Sequence, residues 1–440
     1  MKYKKIISLG LSLFIGVPLV TAQLNDTISW SLKECIEYAL KHNLNIQKSL
    51  NTIELNEVAK QNQKWSRLPD LNASGGSTTS WAKMQPDNKR VTSTANTFAL
   101  STSIPIFTGL EQPNLLKQAK LNLDASIQDL DKAKNDLSIN ITSQYIQVLF
   151  SQELIEVANN QLKLSQEQLD RGYELYKLEK IAKADLYELK ARLKQDEVTL
   201  VEAKNNYSIA LLELAQTLEF DTPISFSIKP LDGELSFDKL TAPDDVYQGA
   251  LTYMPEVLAS EYRDIASQKA IKIAKAGFLP KISFNAGLGT AYNIQRHGQY
   301  DAFGTQLKNN FNQYIGLSLS IPIFNRFGTR NSVKSARINH VNQLINTALT
   351  KKALYNEIQK AWYNATAAES KYNASLEARN ANYESFLLTK EKYELEKSTN
   401  LEFNESKVNL IKAEYDLAKS KYDYLFRIKL LNFYKGQPIE

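Results

Sequence analysis

An internal duplication constrains this chain more than any other feature. Leu100-Ser-Thr-Ser-Ile-Pro-Ile-Phe-Thr108 returns as Leu317-Ser-Leu-Ser-Ile-Pro-Ile-Phe-Asn325. From Pro105 onward the two halves register at a constant offset of 217, so Tyr176-Lys-Leu-Glu-Lys180 maps onto Tyr393-Glu-Leu-Glu-Lys397. Arg67-Leu68-Pro69 with Gly75 likewise pairs with Phe278-Leu279-Pro280 and Gly287. Self-similarity at a fixed period means one supersecondary unit used twice. Each unit reads as a helix, a strand hairpin, a long helix and a last helix.

The 440 residues divide on this reading into five parts. A signal peptide covers 1–22, where Lys2, Lys4 and Lys5 precede the apolar run Ile6 to Val20 and Val20-Thr21-Ala22 offers a cleavage site. A first repeat follows at 23–218, an irregular segment at 219–242, a second repeat at 243–434 and a tail at 435–440. Removing the signal takes away three lysines and no acids, so the formal charge of +5 falls to +2. That is too near neutral for a nucleic-acid partner. Beyond the signal no stretch reaches the ~20 apolar residues of a spanning helix. The single cysteine, Cys35, shares a helical face with Leu32, Ile36, Ala39 and Leu40, which predicts buried filler. A lipid anchor needs cysteine just after the cleavage site, where Gln23 stands, so none is expected.

Ser31 and Glu34 form a capping-box signature for a helix running to about Trp65, and Leu68-Pro69 ends it. Strands are predicted at 71–82 and 97–107, with Phe98, Leu100, Thr102 and Ile104 on one face of the second. Pro86-Asp87-Asn88 marks the turn between them. From Pro113 the period becomes helical. Leu116, Leu123, Leu130 and Leu137 repeat at sevens; after a step of four so do Ile141, Val148, Ile155, Leu162 and Leu169. This is a coiled-coil seam with one stutter. The helix is expected to reach Tyr176, a turn to occupy 177–183, and a further helix to end near Leu218. The second unit predicts a helix over 243–277, strands at 281–293 and 311–322, a long helix at 328–392 and a last one at 400–433. Each half thus has one helix of about 60 residues and two of about 35, so a stacked short pair matches one long helix in height.

Ile315, Leu317, Leu319 and Ile321 alternate with Gly316, Ser318 and Ser320. An ordinary half-buried sheet accounts for that alternation by itself. The signal peptide, the duplicated hairpins and the long helices together favour membrane strands, apolar outward and small-polar inward. Four strands cannot close a barrel, and lipid does not tolerate an open edge. Closure then needs other copies, and three give twelve strands.

These features together resemble the TolC-type outer-membrane efflux family over nearly all of the mature chain. The carriers are Ser31-Leu-Lys-Glu-Cys-Ile-Glu-Tyr-Ala-Leu40 with His42-Asn43-Leu44, the paired Leu-Pro segments, the paired Ser-Ile-Pro-Ile-Phe segments and the motif after each long helix. The resemblance implies a mainly α fold with membrane β-hairpins: a homotrimer with a shared twelve-stranded barrel and a long α-helical barrel in the periplasm. It implies an outer-membrane location in a Gram-negative bacterium, with outer-membrane lipid around the strands. The implied partners are a periplasmic membrane-fusion adaptor and an inner-membrane pump of the RND, ABC or MFS type. The implied activity is passive conduction in efflux or type I secretion, with no cofactor. Carried over residue by residue, Glu402 and Glu405 form an acidic ring at the tunnel entrance, and Tyr393 bonds Asp185 in the closed state. Glu188, Leu178, Glu179, Lys180, Leu395, Glu396 and Lys397 make the tip that meets the adaptor. Two departures stand out. Ser398 replaces an arginine frequent in the family, and the two Leu-Glu-Lys turns replace a glycine-containing one.

Catalytic chemistry has no foothold. His42, His297 and His340 are isolated, one cysteine gives no zinc spacing, and no phosphate- or dinucleotide-binding glycine motif occurs. The rival readings are a secreted coiled-coil scaffold or adhesion protein without channel activity, and a periplasmic enzyme with an unfamiliar site.

Overall fold

The computed structural model describes residues 28–84, 89–220, 226–231, 240–295, 300–395 and 397–439. The signal segment 1–22, the Pro86-Asp87-Asn88 turn, His297 and Glu396 lie outside the described residues. Strand β1 (Ile28–Trp30) leads into helix α1 (Leu32–His42), whose capping box is formed as predicted. The Ser31 N–H donates to Glu34 Oε2 at 2.7 Å, and the Glu34 N–H to Ser31 Oγ at 3.3 Å.

The first correction is that this helix does not run unbroken to Trp65. Asn43 turns extended (φ −63°, ψ 129°) and starts a new helix, α2 (Leu44–Trp65). Its side-chain oxygen accepts from the Asn45 and Ile46 N–H groups at 2.9 and 3.4 Å. An asparagine inside a helical pattern is a ready N-cap. The second unit breaks at the matching place by another device. Helix α5 (Pro243–Ala250) stops, Met254 is extended, and Pro255 opens α6 (Pro255–Lys275). Proline favours a first helical turn and disfavours α geometry just before it.

Three strands are longer than predicted, the second starting eight residues earlier at Lys89, and the last is shorter, ending at Ser320. Strands β2 (Asn72–Met84) and β3 (Lys89–Thr108) form the first hairpin. In the second unit β5 (Lys281–Gln295) pairs with β6 (Asn312–Ser320), and the polar connection holds a short helix, α7 (Phe303–Asn309). The four make one antiparallel sheet in the order β2-β3-β5-β6, so β2 and β6 are its unpaired edges. Directly opposed residues share a face. Ile104, Phe284 and Leu317 therefore form one apolar row across three strands, while Ser103, Asn285 and Gly316 form a small-polar row on the reverse.

Proline in each repeated motif marks where pairing becomes irregular. A bulge between Pro105 and Phe107 leaves Ile106 unpaired, and β6 ends just before Pro322. Proline cannot donate to a ladder, so it sits at bulges and strand ends. Two successive left-handed residues then turn the chain into each long helix: Gly109 and Leu110, and Arg326 and Phe327. Gly109 has no room for a side chain, since a Cβ would come 2.8 Å from Ala276 O.

Helices α3 (Glu111–Lys177) and α8 (Gly328–Glu394) each span 67 residues, about 100 Å at 1.5 Å per residue. Helices α4 (Lys183–Thr217) and α9 (Asn400–Tyr434) return beside their lower halves. Helix α2 packs along α3, and α6 packs against both α3 and α8. Inside the subunit the α3/α4 pair meets the α8/α9 pair through α3 and α9.

Two duplicated cores hold the middle. Ile141 of α3 and Leu214 of α4 are fully buried in one; their 217-offset counterparts, Ile358 and Leu431, are fully buried in the other. The first core is closed by a parallel clip of β1 with β4 (Phe226–Ile228). Tyr145 fastens it by donating to Lys229 O at 2.5 Å, with Trp30 O at 3.1 Å. Cys35 is completely buried there, and burial pushes its thiol up to about 12, in keeping with a packing role.

Candidate functional site at the helical tips

The two long helices share their last described bonds. Leu178 caps α3, Glu179 is left-handed (φ 58°), the Glu179 N–H donates to Tyr176 O at 3.0 Å and the Lys180 N–H to Leu175 O at 2.9 Å. This is the paired-bond stop usually built on glycine. At the second tip Lys397 N–H donates to Lys392 O at 2.8 Å. The charged turn of the first repeat thus keeps a glycine-type backbone without the glycine. Leu178 and Leu395 are exposed apolar points.

The carboxylates expected at the entrance are first of all helix caps. Asp185 Oδ2 accepts the Ala182 N–H at 3.0 Å. Glu402 Oε2 accepts the Thr399 N–H at 3.0 Å and the Ser398 hydroxyl at 2.7 Å, while the Glu402 N–H donates to Thr399 Oγ1 at 3.2 Å. The Thr399 N–H and then the Ser398 hydroxyl hold the Glu402 carboxyl below its ordinary value. Ser398, standing where the family's arginine is frequent, therefore serves Glu402. Glu405 is exposed, and Glu188 pairs with Arg192 at 2.6 Å.

Tyr393 and Asp185 are not joined within the chain among the described bonds. Tyr393 instead stacks on Phe403 of α9, with ring centroids 4.7 Å apart, and the Arg171 guanidinium of α3 lies over its ring at 5.1 Å. Arg171 Nη2 also donates to Glu394 O at 3.1 Å and Tyr393 O at 3.4 Å, closing free carbonyls at the end of α8. Cations are favoured at a helix C-terminus.

Higher on the seam between the helical pairs is a buried polar group that the sequence reading missed. Lys407 of α9 is 4% exposed, donates to Ser165 Oγ of α3 at 2.6 Å and lies 3.5 Å from Asp196 Oδ2 of α4. Ser165 also donates to Asp196, and Gln161 Nε2 reaches both Asp196 oxygens at 3.1–3.2 Å. Burial lowers the Lys407 ammonium pKa, and Asp196 offsets part of that. A signal was available: Phe403, Lys407 and Leu410 follow the 3/4 spacing of the buried stripe of α9. His42 bonds Tyr38 O within α1, and His340 of α8 bonds Ser267 Oγ and lies 3.1 Å from Asp264 of α6. No metal-binding cluster occurs among the described residues.

Paired helices of about 100 Å attached to a four-stranded sheet with two free edges define the fold class of outer-membrane channel subunits. The sequence profile of the outer membrane efflux protein family matches residues 35–218 and 246–432, and the chain belongs to that family. Nodulation protein T of Rhizobium leguminosarum bv. trifolii is 24% identical over 309 residues, 70% of this chain and 64% of its own length. Outer membrane protein TolC of Escherichia coli is 23% identical over 347 residues, 77% of this chain and 69% of its own. The first of these is thus spanned over less than two thirds of its length. The crystal structure of the Campylobacter jejuni CmeC outer membrane channel superposes with a TM-score of 0.79 at 18% identity, covering 92% of this chain and 85% of that one.

Proposed function

We propose that this chain is the outer-membrane conduit of a tripartite efflux or type I secretion system, acting as a homotrimer. The observation that carries it is the sheet. Strands β2 and β6 each present an unpaired edge, and β6 exposes Ile315, Leu317 and Leu319, each more than 60% accessible. An open apolar sheet is unstable in lipid and aggregation-prone in water. Pairing β6 of one copy with β2 of the next removes both edges, and three copies give twelve strands, within the range of membrane barrels.

The helices then form one tube below the barrel, with the turns at 178–182 and 395–399 at its inner end. Glu402 and Glu405 lie three apart on α9, and three copies supply six carboxylates near the mouth. Such a ring attracts cations and repels anions. Leu178, Glu179, Lys180, Leu395 and Lys397 form the surface offered to a periplasmic adaptor, with energy supplied by an inner-membrane pump of the RND, ABC or MFS type. The sequence domains 23–218 and 243–434 are the two repeats of this tube. Outer-membrane fractionation followed by electrophoresis without boiling tests the reading. The expected result is an SDS-resistant trimer that conducts in planar bilayers. A stable monomer in the soluble fraction would favour the secreted-scaffold alternative and sink the conduit.

A further inference from the structure

Resting on the trimer reading, the tube has two kinds of seam near its tip. One is the subunit's own, α3 against α9. The other joins copies and places α8 against α4 of the neighbour, because those are the outer helices of the two pairs. Duplication relates them position by position through the 217 offset.

The two seams are chemically unlike. On the subunit's own seam stand Ser165, Gln168 and Arg171 of α3, and Asn404 and Lys407 of α9. Ser165 bonds Lys407, and the helices run antiparallel, so Gln168 and Asn404 fall at one level, three residues nearer the tip. Both are buried, at 9% and 4% exposure. Neither amide atom of Gln168 nor the Asn404 Oδ1 has a hydrogen-bond partner among the described residues. At the counterpart positions of the other seam stand Asn382, Ser385, Leu388, Tyr187 and Lys190, and the counterpart of Asp196 is Ala413. Leu388 and Tyr187 are 60% and 57% exposed in the single chain; in the ring they are covered.

Burying polar groups without partners is costly, and a buried ion pair returns little beyond its own desolvation. Water entering the α3/α9 seam supplies the bonds that Gln168 and Asn404 lack and hydrates the ion pair of Lys407 with Asp196. Water entering the α8/α4 seam uncovers Leu388 and Tyr187 and wets Asn382, Ser385 and Lys190, none of which holds a buried atom without a partner. We infer that the layer formed by Gln168, Asn404 and Lys407 is a hydration site that makes the subunit's own seam the line along which the tip parts, while the seam between subunits stays dry.

Thiol labelling reads this directly. In trimers of a Cys35→Ala background, single variants Gln168→Cys, Asn404→Cys, Ser385→Cys, Tyr187→Cys and Leu178→Cys would react with a water-soluble maleimide. Leu178→Cys at the open turn sets the fully exposed rate. The expected order is Gln168→Cys and Asn404→Cys at least tenfold faster than Ser385→Cys and Tyr187→Cys. That order reverses the exposures of Asn404 and Tyr187 in the isolated chain. Equal or inverted rates overturn the inference. Tyr187→Cys reacting as fast as Leu178→Cys would instead mean that no neighbouring copy covers it, which sinks the ring itself. Hydrogen exchange on the unmodified protein gives the same reading where a variant fails to fold. Amides of 404–410 should exchange several-fold faster than those of 187–193, and the opposite order overturns the hydration site.

Discussion

Asp185 and Glu402 occupy equivalent positions, 217 residues apart, and do the same work. Each carboxylate accepts the N–H of the residue three before it, Ala182 or Thr399, at 3.0 Å. The cap is reciprocal only at Glu402, because Thr399 carries a hydroxyl and Ala182 does not. The duplication thus gives the two tips one backbone design and unequal strength.

That inequality predicts a pH effect. The Glu402 carboxyl is held below its ordinary value by the folded tip, so its contribution is complete above that ordinary value. It is lost as pH falls through the lowered value. Amide exchange of residues 399–403, corrected for its intrinsic pH dependence, should stay constant from neutrality to mildly acid pH and rise once Glu402 protonates. Replacing Glu402 with Gln should abolish the rise; a rise of the same size in that variant would point to another group.

Glu179 in a left-handed conformation costs about 1–2 kcal/mol relative to right-handed geometry, and glycine would relieve it at a chain-entropy cost of about 0.5–1 kcal/mol. Glu179→Gly should therefore stabilise the tip by about 0.5–1 kcal/mol, seen as slower exchange at 175–182. Gly109→Ala should act in the opposite sense by about 1–3 kcal/mol, since its Cβ meets Ala276 O as well as an unfavourable φ. Thermal midpoints of the two variants check the pair of signs.

Lys407→Met leaves the part-buried Asp196, 15% exposed, without its cation and should lower stability by about 1–3 kcal/mol. Adding Asp196→Leu should recover more than half of that loss, because the stranded charge is gone. Denaturation of the single and double variants settles it. A double variant as unstable as the single one would show that the ion pair itself is a net stabiliser.

Tyr393 is held by its ring, between Phe403 and Arg171. Tyr393→Phe should change single-channel conductance and stability little. Tyr393→Leu should cost about 1–2 kcal/mol through lost stacking and cation–π contact, and Asp185→Ala about 1 kcal/mol through the lost cap. A large conductance change in Tyr393→Phe would restore the tyrosine–aspartate contact as the closing bond.

Selectivity should follow the α9 acids. Glu402→Gln keeps an oxygen acceptor for the cap and removes charge, and Glu405→Gln removes charge from an exposed site. Reversal potentials across a salt gradient should show the cation preference falling in each variant and further in the double.

The sequence by itself determined the duplication, the bounds of α3, α4, α8 and α9 to within a few residues and the alternating strands, because these are local. Apolar spacing sets a period; α3 keeps its one proline, Pro113, in the first turn and has Gly172 as its one glycine, while past Gly328 α8 has neither residue, so each helix runs for 67 residues. It also determined Cys35 as core and Ser31-Glu34 as a cap. Breaks at Asn43 and Met254 escaped it, since an N-cap asparagine inside a periodic run looks like any surface residue. Only the tertiary structure decided what each tip side chain touches. That Arg171 reaches the end of α8, and that Lys407 is buried against Ser165 and Asp196, depend on how α3 and α9 meet. Ser165 and Lys407 are 242 residues apart in the chain, and no local period carries the rotation and height at which two helices come to face each other.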